Sequence, residues 1–144
     1  MWLFNYKKLA FTDVLCNCFN RNYFELKLVK KYSLKECFIT IIDIDKFKKV
    51  NDSYGHLAGD NILRELVSFL KEDNDILDIC RYGGDEFVLF HKNNIDFSKK
   101  QLEFFNKTEA KFSFGTNFKE KQMSVKEALS ISDKKLYNNK TKSQ

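Results

Sequence analysis

The chain has 144 residues, room for one domain with a sizeable core and little else. Its 43% hydrophobic content excludes a disordered or collagen-like chain, and no apolar run approaches the roughly 20 residues that a spanning helix needs. The net charge of +5 comes from 25 basic and 20 acidic residues, yet only Arg21, Arg64 and Arg81 are arginine, a poor endowment for a nucleic-acid surface that grips phosphates bidentately.

No signal peptide opens the chain, so a cytoplasmic setting without membrane contact is the expectation. Cys16 and Cys18 form a C-x-C, and Cys37 and Cys80 stand alone. Neither they nor His56 and His91 have the spacing of a structural zinc site, so reduced thiols are expected.

Residues 1–10 read as a short lead-in and 11–144 as the domain. A helix is expected over 20–32, where Phe24, Leu26, Leu28 and Val29 stand among charges. The β-branched run over 37–42 predicts a buried strand that ends in Asp43 and Asp45. A short helix or turn follows over 47–54. Ile62, Leu63, Leu66, Val67 and Leu70 give a helical period over 59–72. Strands are expected over 76–82 and 87–91, joined by the turn signal Gly83-Gly84. A helix over 97–105 and a strand over 110–114, ending at Gly115, come next. The last helix is placed over 125–139, with Ser124 and Glu127 as its capping box. This order predicts an α+β domain, with a ferredoxin-like, antiparallel-containing sheet and its helices on one face.

The chemistry concentrates at Asp43-Ile44-Asp45 and at Arg81-Tyr82-Gly83-Gly84-Asp85-Glu86-Phe87. If the two strands are neighbours, Asp43 and Asp85 meet. Two carboxylates and a backbone carbonyl suit Mg²⁺ (or Mn²⁺), a hard cation that leaves positions for substrate phosphates. The paired glycines let backbone amides approach a phosphate or ribose.

These residues carry a family resemblance. Gly83-Gly84-Asp85-Glu86-Phe87 is the GGDEF signature, and residues 43–60 resemble the D-x-D-x-F-K-x-x-N-D-x-x-G-H-x-x-G-D block of diguanylate cyclases. Asp13-Val14-Leu15 with Asn20-Arg21, Ser113-Phe114-Gly115, and Asp133 to Tyr137 with Lys140 resemble the family's remaining motifs in the same order. The resemblance implies a palm-like sheet with a GGDEF hairpin, binding one GTP per subunit. Two subunits meet as a transient homodimer, and each 3′-hydroxyl attacks the other nucleotide's α-phosphate to give cyclic di-GMP and two pyrophosphates. It implies that Asp43, the carbonyl of Ile44 and Asp85 hold the metal, with Asp85 also the candidate base and Glu86 in support. It implies that Asn51 and Asp60 read guanine, with His56 in the same segment. Gly83 and Gly84 would admit the substrate, and Lys48 and Lys140 would neutralise phosphate charge.

Four departures qualify this. The family's R-x-x-D product-inhibition motif is replaced by Asn74-Asp75-Ile76-Leu77, which predicts no feedback by that route. Its closing G-R-N gives way to Ser143-Gln144, which predicts weaker triphosphate binding. The stretch between Phe87 and Gly115 is shorter than usual. Cys16 stands where the family commonly has Thr, and with so short a lead-in no sensor is expected, so the chain reads either as an excised domain or as a stand-alone one controlled by expression or by a regulatory partner. Two other readings stay open: a GTP-binding module without turnover, and a cyclase with a different cyclic dinucleotide product.

Overall fold

Residues 2–142 are described by a computed structural model. Ser143 and Gln144, which stand in place of the G-R-N, lie outside them.

The expected lead-in is a helix, Trp2–Phe11 (α1). It has little buried surface to announce it: Leu3, Tyr6 and Leu9 are exposed. It is tied down at its end, where the Ala10 carbonyl accepts from Asn20 Nδ2 at 3.0 Å and Asn22 Nδ2 at 3.3 Å. Two short strands follow, Thr12–Asp13 (β1) and Cys18–Asn20 (β2). The helix expected over 20–32 is one helical stretch of three parts: Arg21–Tyr23 (α2), a wide π turn over Phe24–Leu28, and Val29–Lys31 (α3). Asn20 caps it, its side chain accepting from the Tyr23 amide at 2.9 Å.

The central strand is Cys37–Ile44 (β3), two residues longer than its apolar run because pairing carries it through the first acid. Phe47–Tyr54 (α4) and His56–Lys71 (α5) follow, broken apart at Gly55, whose φ of +88° suits glycine alone. Ile76–Arg81 (β4) and Glu86–His91 (β5) form the hairpin. Phe97–Thr108 (α6), Phe112–Lys119 (β6) and Val125–Lys142 (α7) complete the chain. The capping box of α7 is formed, with the Glu127 amide donating to Ser124 Oγ at 3.0 Å. Strand β6 does not end at Gly115 but runs four residues past it. Gly115 lies in mid-strand because α7 presses its backbone against that position.

The six strands run β1-β2-β4-β5-β3-β6, all antiparallel except the β2/β4 pair. Helices cover both faces, not one. Ile39, Ile41, Val88 and Phe90 pack with Phe24, Leu28, Ala128 and Leu129. Ile42, Ile44, Phe87 and Leu89 pack with Leu63, Leu66, Leu70 and Phe104 on the other side. Apolar residues at successive positions of β3 and β5 require two covered faces, a signal the one-face expectation overlooked. All four cysteines are free thiols and buried, as expected. No helix among the described residues is long and apolar enough to cross a membrane.

Two polar devices sit inside. Thr40 Oγ1 lies 2.7 Å from both His91 Nε2 and Thr116 Oγ1, and His91 Nδ1 donates to the Asn93 carbonyl at 2.7 Å. Burial holds the His91 pKa below the ordinary value, so the ring is neutral there. Lys119 is fully buried. Its ammonium donates to the carbonyls of Ser33, Lys35 and Glu120 at 3.2, 2.9 and 3.1 Å. Lys119→Met keeps the stem and removes the donor for three carbonyls. It is expected to cost about 2–3 kcal/mol by urea unfolding; a loss under about 0.5 kcal/mol would refute this role.

Candidate active site at the end of the central strand

Asp43 sits on β3 opposite Glu86 of β5 and Ser113 of β6. Strand pairing alone therefore brings the acids of two distant motifs together. The hairpin tip is bound to β3 by the Ile44 amide, which donates to the Asp85 carbonyl at 3.2 Å. The amides of Tyr82 and Gly83 both donate to the Glu86 carbonyl, at 2.8 and 3.2 Å.

Arg81 closes the tip. Its Nη2 and Nε donate to the Gly84 carbonyl at 2.7 and 3.1 Å, and its Nη1 to Asp13 Oδ2 at 3.1 Å. Asp13 also accepts from the Cys16 amide at 2.9 Å. Sequence reading placed Arg81 in the hairpin segment and Asp13 in the opening motif but gave neither a role. Their signal was an arginine at the last strand position before Gly83-Gly84, with an acid waiting in the chain's opening motif. Neither Gly83 nor Gly84 has a positive φ. A Cβ at Gly84 would meet nothing within 4 Å. The bare tip is an open surface rather than a conformational necessity.

Asp85 lies against Asp43. Burial, contact with the Asp43 carboxyl and its charge push the Asp85 pKa up to about 7. Glu86 is raised by burial first, then by the charges of Asp43 and Asp133. Lys140, from α7, donates to Asp43 Oδ2. Burial works against its charge, but the hydrogen bond to Asp43 and the fields of Asp43, Asp45 and Asp85 outweigh this and hold its pKa above the ordinary value. Asp45 has a bracing part: its Oδ1 accepts from Ser113 Oγ at 2.6 Å and its amide donates to the Lys111 carbonyl at 2.9 Å.

The residues expected to read a base lie on α4 and α5. Asn51 is brought beside Gly59, the residue before Asp60: a Cβ at Gly59 would fall 1.9 Å from Asn51 Oδ1. The Asn51 amide occupies this place only because Gly59 has no side chain. Lys48 is exposed on α4, and His56 is exposed at the first position of α5. The structure thus gathers Asp43, Asp85, Glu86 and Lys140 around the end of β3, and it brings Asn51 beside the residue before Asp60. Lys48 and His56 stand on the surface.

No group of three or more His, Cys, Asp or Glu side chains suited to a metal forms among the described residues. A cation here would rest on two carboxylates and a carbonyl, the small protein share typical of Mg²⁺. The residues fit one: the carboxyls crowd each other, and Asp43 Oδ1 is buried with no hydrogen-bond partner.

Residues 10–144 match the family model described as diguanylate cyclase, GGDEF domain. The chain belongs to the GGDEF diguanylate cyclase domain family. This GGDEF domain is 43% identical over 88 residues to the response regulator PleD of Caulobacter vibrioides, a match that covers 57% of this chain and 19% of that protein. It spans about a fifth of the length of the curated relatives it matches. In fold it is similar to the coiled coil and GGDEF domain of DgcB from Caulobacter crescentus in complex with c-di-GMP. There the TM-score is 0.82 and the identity 22%, with 99% of this chain and 87% of that one covered. A microbial GGDEF domain studied for its interaction with bis-(3′,5′)-cyclic di-GMP gives 0.78 at 26% identity, with coverage of 95% and 94%.

Proposed function

We propose that this GGDEF domain is a diguanylate cyclase that condenses two GTP into cyclic di-GMP and two pyrophosphates across a transient homodimer. One observation carries the reading. Among the described residues, the buried side-chain oxygens without a hydrogen-bond partner are Asp43 Oδ1 and Asn51 Oδ1. A buried polar atom left unpaired costs about 1–3 kcal/mol, so a fold keeps one where a ligand will satisfy it. Of these two, one is suited to a cation and phosphates and the other to a base.

In this reading Asn51 and Asp60 read guanine, an amide and a carboxylate against its O6 acceptor and its N1–H and N2–H donors. Lys140 neutralises phosphate charge, and Lys48 swings in from the surface to do the same. Asp43, the Ile44 carbonyl and Asp85 would hold Mg²⁺, which supplies charge stabilisation at the α-phosphate and a more acidic 3′-hydroxyl. Asp85 takes the proton of the 3′-hydroxyl. Glu86 supports the cluster from β5. Gly83 and Gly84 leave the hairpin tip open to the nucleotide, with Arg81 fixing its shape. One domain holds one nucleotide, so two copies face each other for the reaction.

GTP incubated with the protein and Mg²⁺ is expected to give cyclic di-GMP, and ATP is expected to compete poorly, because adenine lacks the donors that Asp60 accepts. Gly59→Ala probes the base end alone. Its methyl would displace the far end of the Asn51 side chain and sit 3.1 Å from the edge of the Phe47 ring, with side-chain atoms alone as its nearest contacts. GTP binding is expected to weaken about tenfold, as for one lost buried hydrogen bond to a base, with the melting temperature little changed. Wild-type GTP affinity in Gly59→Ala would remove Asn51 from the site.

A further inference from the structure

A cavity of about 900 Å³ opens beside the acids, between α4, α6 and the start of β6. It borders the acid cluster, since Ile44, Asp45, Ser113 and Lys140 line it, but none of Asp43, Asn51, Asp60 or Asp85 does. Its size falls within the range of small-molecule sites.

Its walls combine two chemistries. The first is cationic: Lys46, Lys49, Lys111 and Lys140 line it, against the acids Asp45 and Glu109. Asp45 is already engaged by the Ser113 hydroxyl. Lys46, Lys49 and Lys111 have no carboxylate partner among the described residues. Four ammonium groups from three separate segments around one concavity raise the local concentration of anions. The second is apolar: Tyr54, Leu102 and Phe105 line the same cavity and are 80%, 60% and 37% exposed. The Lys111 ammonium stands 5.1 Å from the Phe105 ring centroid, so charge and a flat ring are already side by side.

We propose that this cavity is a second small-molecule site, taking a nucleoside phosphate with its phosphates on the lysines and its base against Tyr54, Leu102 and Phe105. The assignment goes beyond the cyclase reading and shares Ile44 and Lys140 with it. Lys140 couples the two sites, because a phosphate in the cavity and Asp43 draw on the same ammonium. An occupied cavity would shift charge at the acid cluster.

Fluorescence titration of the whole protein with mant-ATP tests this. Three proteins are compared: wild type, Asp60→Ala and the double variant Lys49→Glu/Lys111→Glu. Wild type is expected to bind saturably, and Asp60→Ala to bind with affinity within about twofold, since the cavity does not include that residue. The double variant reverses two charges facing phosphate and is expected to bind about tenfold or more weakly. The two lysines are exposed, so its melting temperature should match wild type. Inorganic triphosphate should displace the probe from wild type. Absence of saturable binding, wild-type affinity in the double variant, or loss of binding in Asp60→Ala would each overturn the proposal. None of these outcomes depends on cyclic di-GMP being made, so failure here and failure of the cyclase reading are separable.

Discussion

Asp85→Asn is expected to lower cyclic di-GMP formation by about 10²–10⁴-fold, the usual loss when a positioned base is removed, while the domain without metal becomes more stable at neutral pH. The second half follows from the carboxylate cluster. In the fold the Asp85 pKa is pushed up to about 7, from an ordinary value of 3.8, by burial and by Asp43. A carboxyl raised on folding contributes stability below its unfolded value and loses it as pH climbs through the folded one. The stability of the metal-free protein should therefore fall between about pH 4 and pH 7. The full shift would correspond to roughly 4 kcal/mol. Asp85 is only half-buried, so solvent screening reduces the expected gain to about 1–2 kcal/mol. Asparagine imitates the neutral acid and should flatten the profile. Added Mg²⁺ should stabilise wild type more at pH 7.5 than at pH 5 and Asp85→Asn little at either. Retained turnover in Asp85→Asn, or a pH profile parallel to wild type, would break the assignment.

Gly115→Ala is expected to be the most damaging single methyl in the domain. A Cβ at this position would lie 2.0 Å from the Ser132 carbonyl oxygen and 2.4 Å from the Leu136 amide nitrogen. Both are backbone atoms of α7, so no side chain can step aside and the helix must lift from β6. Lifting it strains the Ser132 hydroxyl, which donates to the Ile39 carbonyl of β3 at 2.8 Å. It also withdraws Lys140 from Asp43, since both contacts belong to the same helix. Overpacking costs typically 1–3 kcal/mol, and a backbone clash belongs at or above the upper end. A loss of about 3 kcal/mol or more, from a total of roughly 5–15, should appear as an early urea midpoint together with lost activity. An unchanged midpoint would mean that α7 does not rest on the strand as described.

Much of this was legible from residue order. The chain's patterns marked β3, α5, the hairpin and α7 because their apolar periods, turn signals and capping residues are local. The joining of Asp43 to Asp85 was legible only on the condition that β3 and β5 pair, and they do. Other features depend on contacts between distant residues. β1 and β2 are two and three residues long, too short for any period. α1 is held at its end by Asn20 and Asn22, which both donate to the Ala10 carbonyl. Gly115 reads as a strand end until α7 is packed on it. The clamp of Arg81 on Gly84 and Asp13 joins residues 68 apart in sequence, which no local pattern reveals. Lys119 looks like any other surface lysine until three carbonyls are found around it.

The most direct test is separation of the nucleotides formed when the purified protein meets GTP and Mg²⁺ over a range of protein concentrations. The account predicts cyclic di-GMP and pyrophosphate, with a specific rate that rises with protein concentration because two domains must meet. GTP bound but never converted, even at the highest concentration, would contradict it.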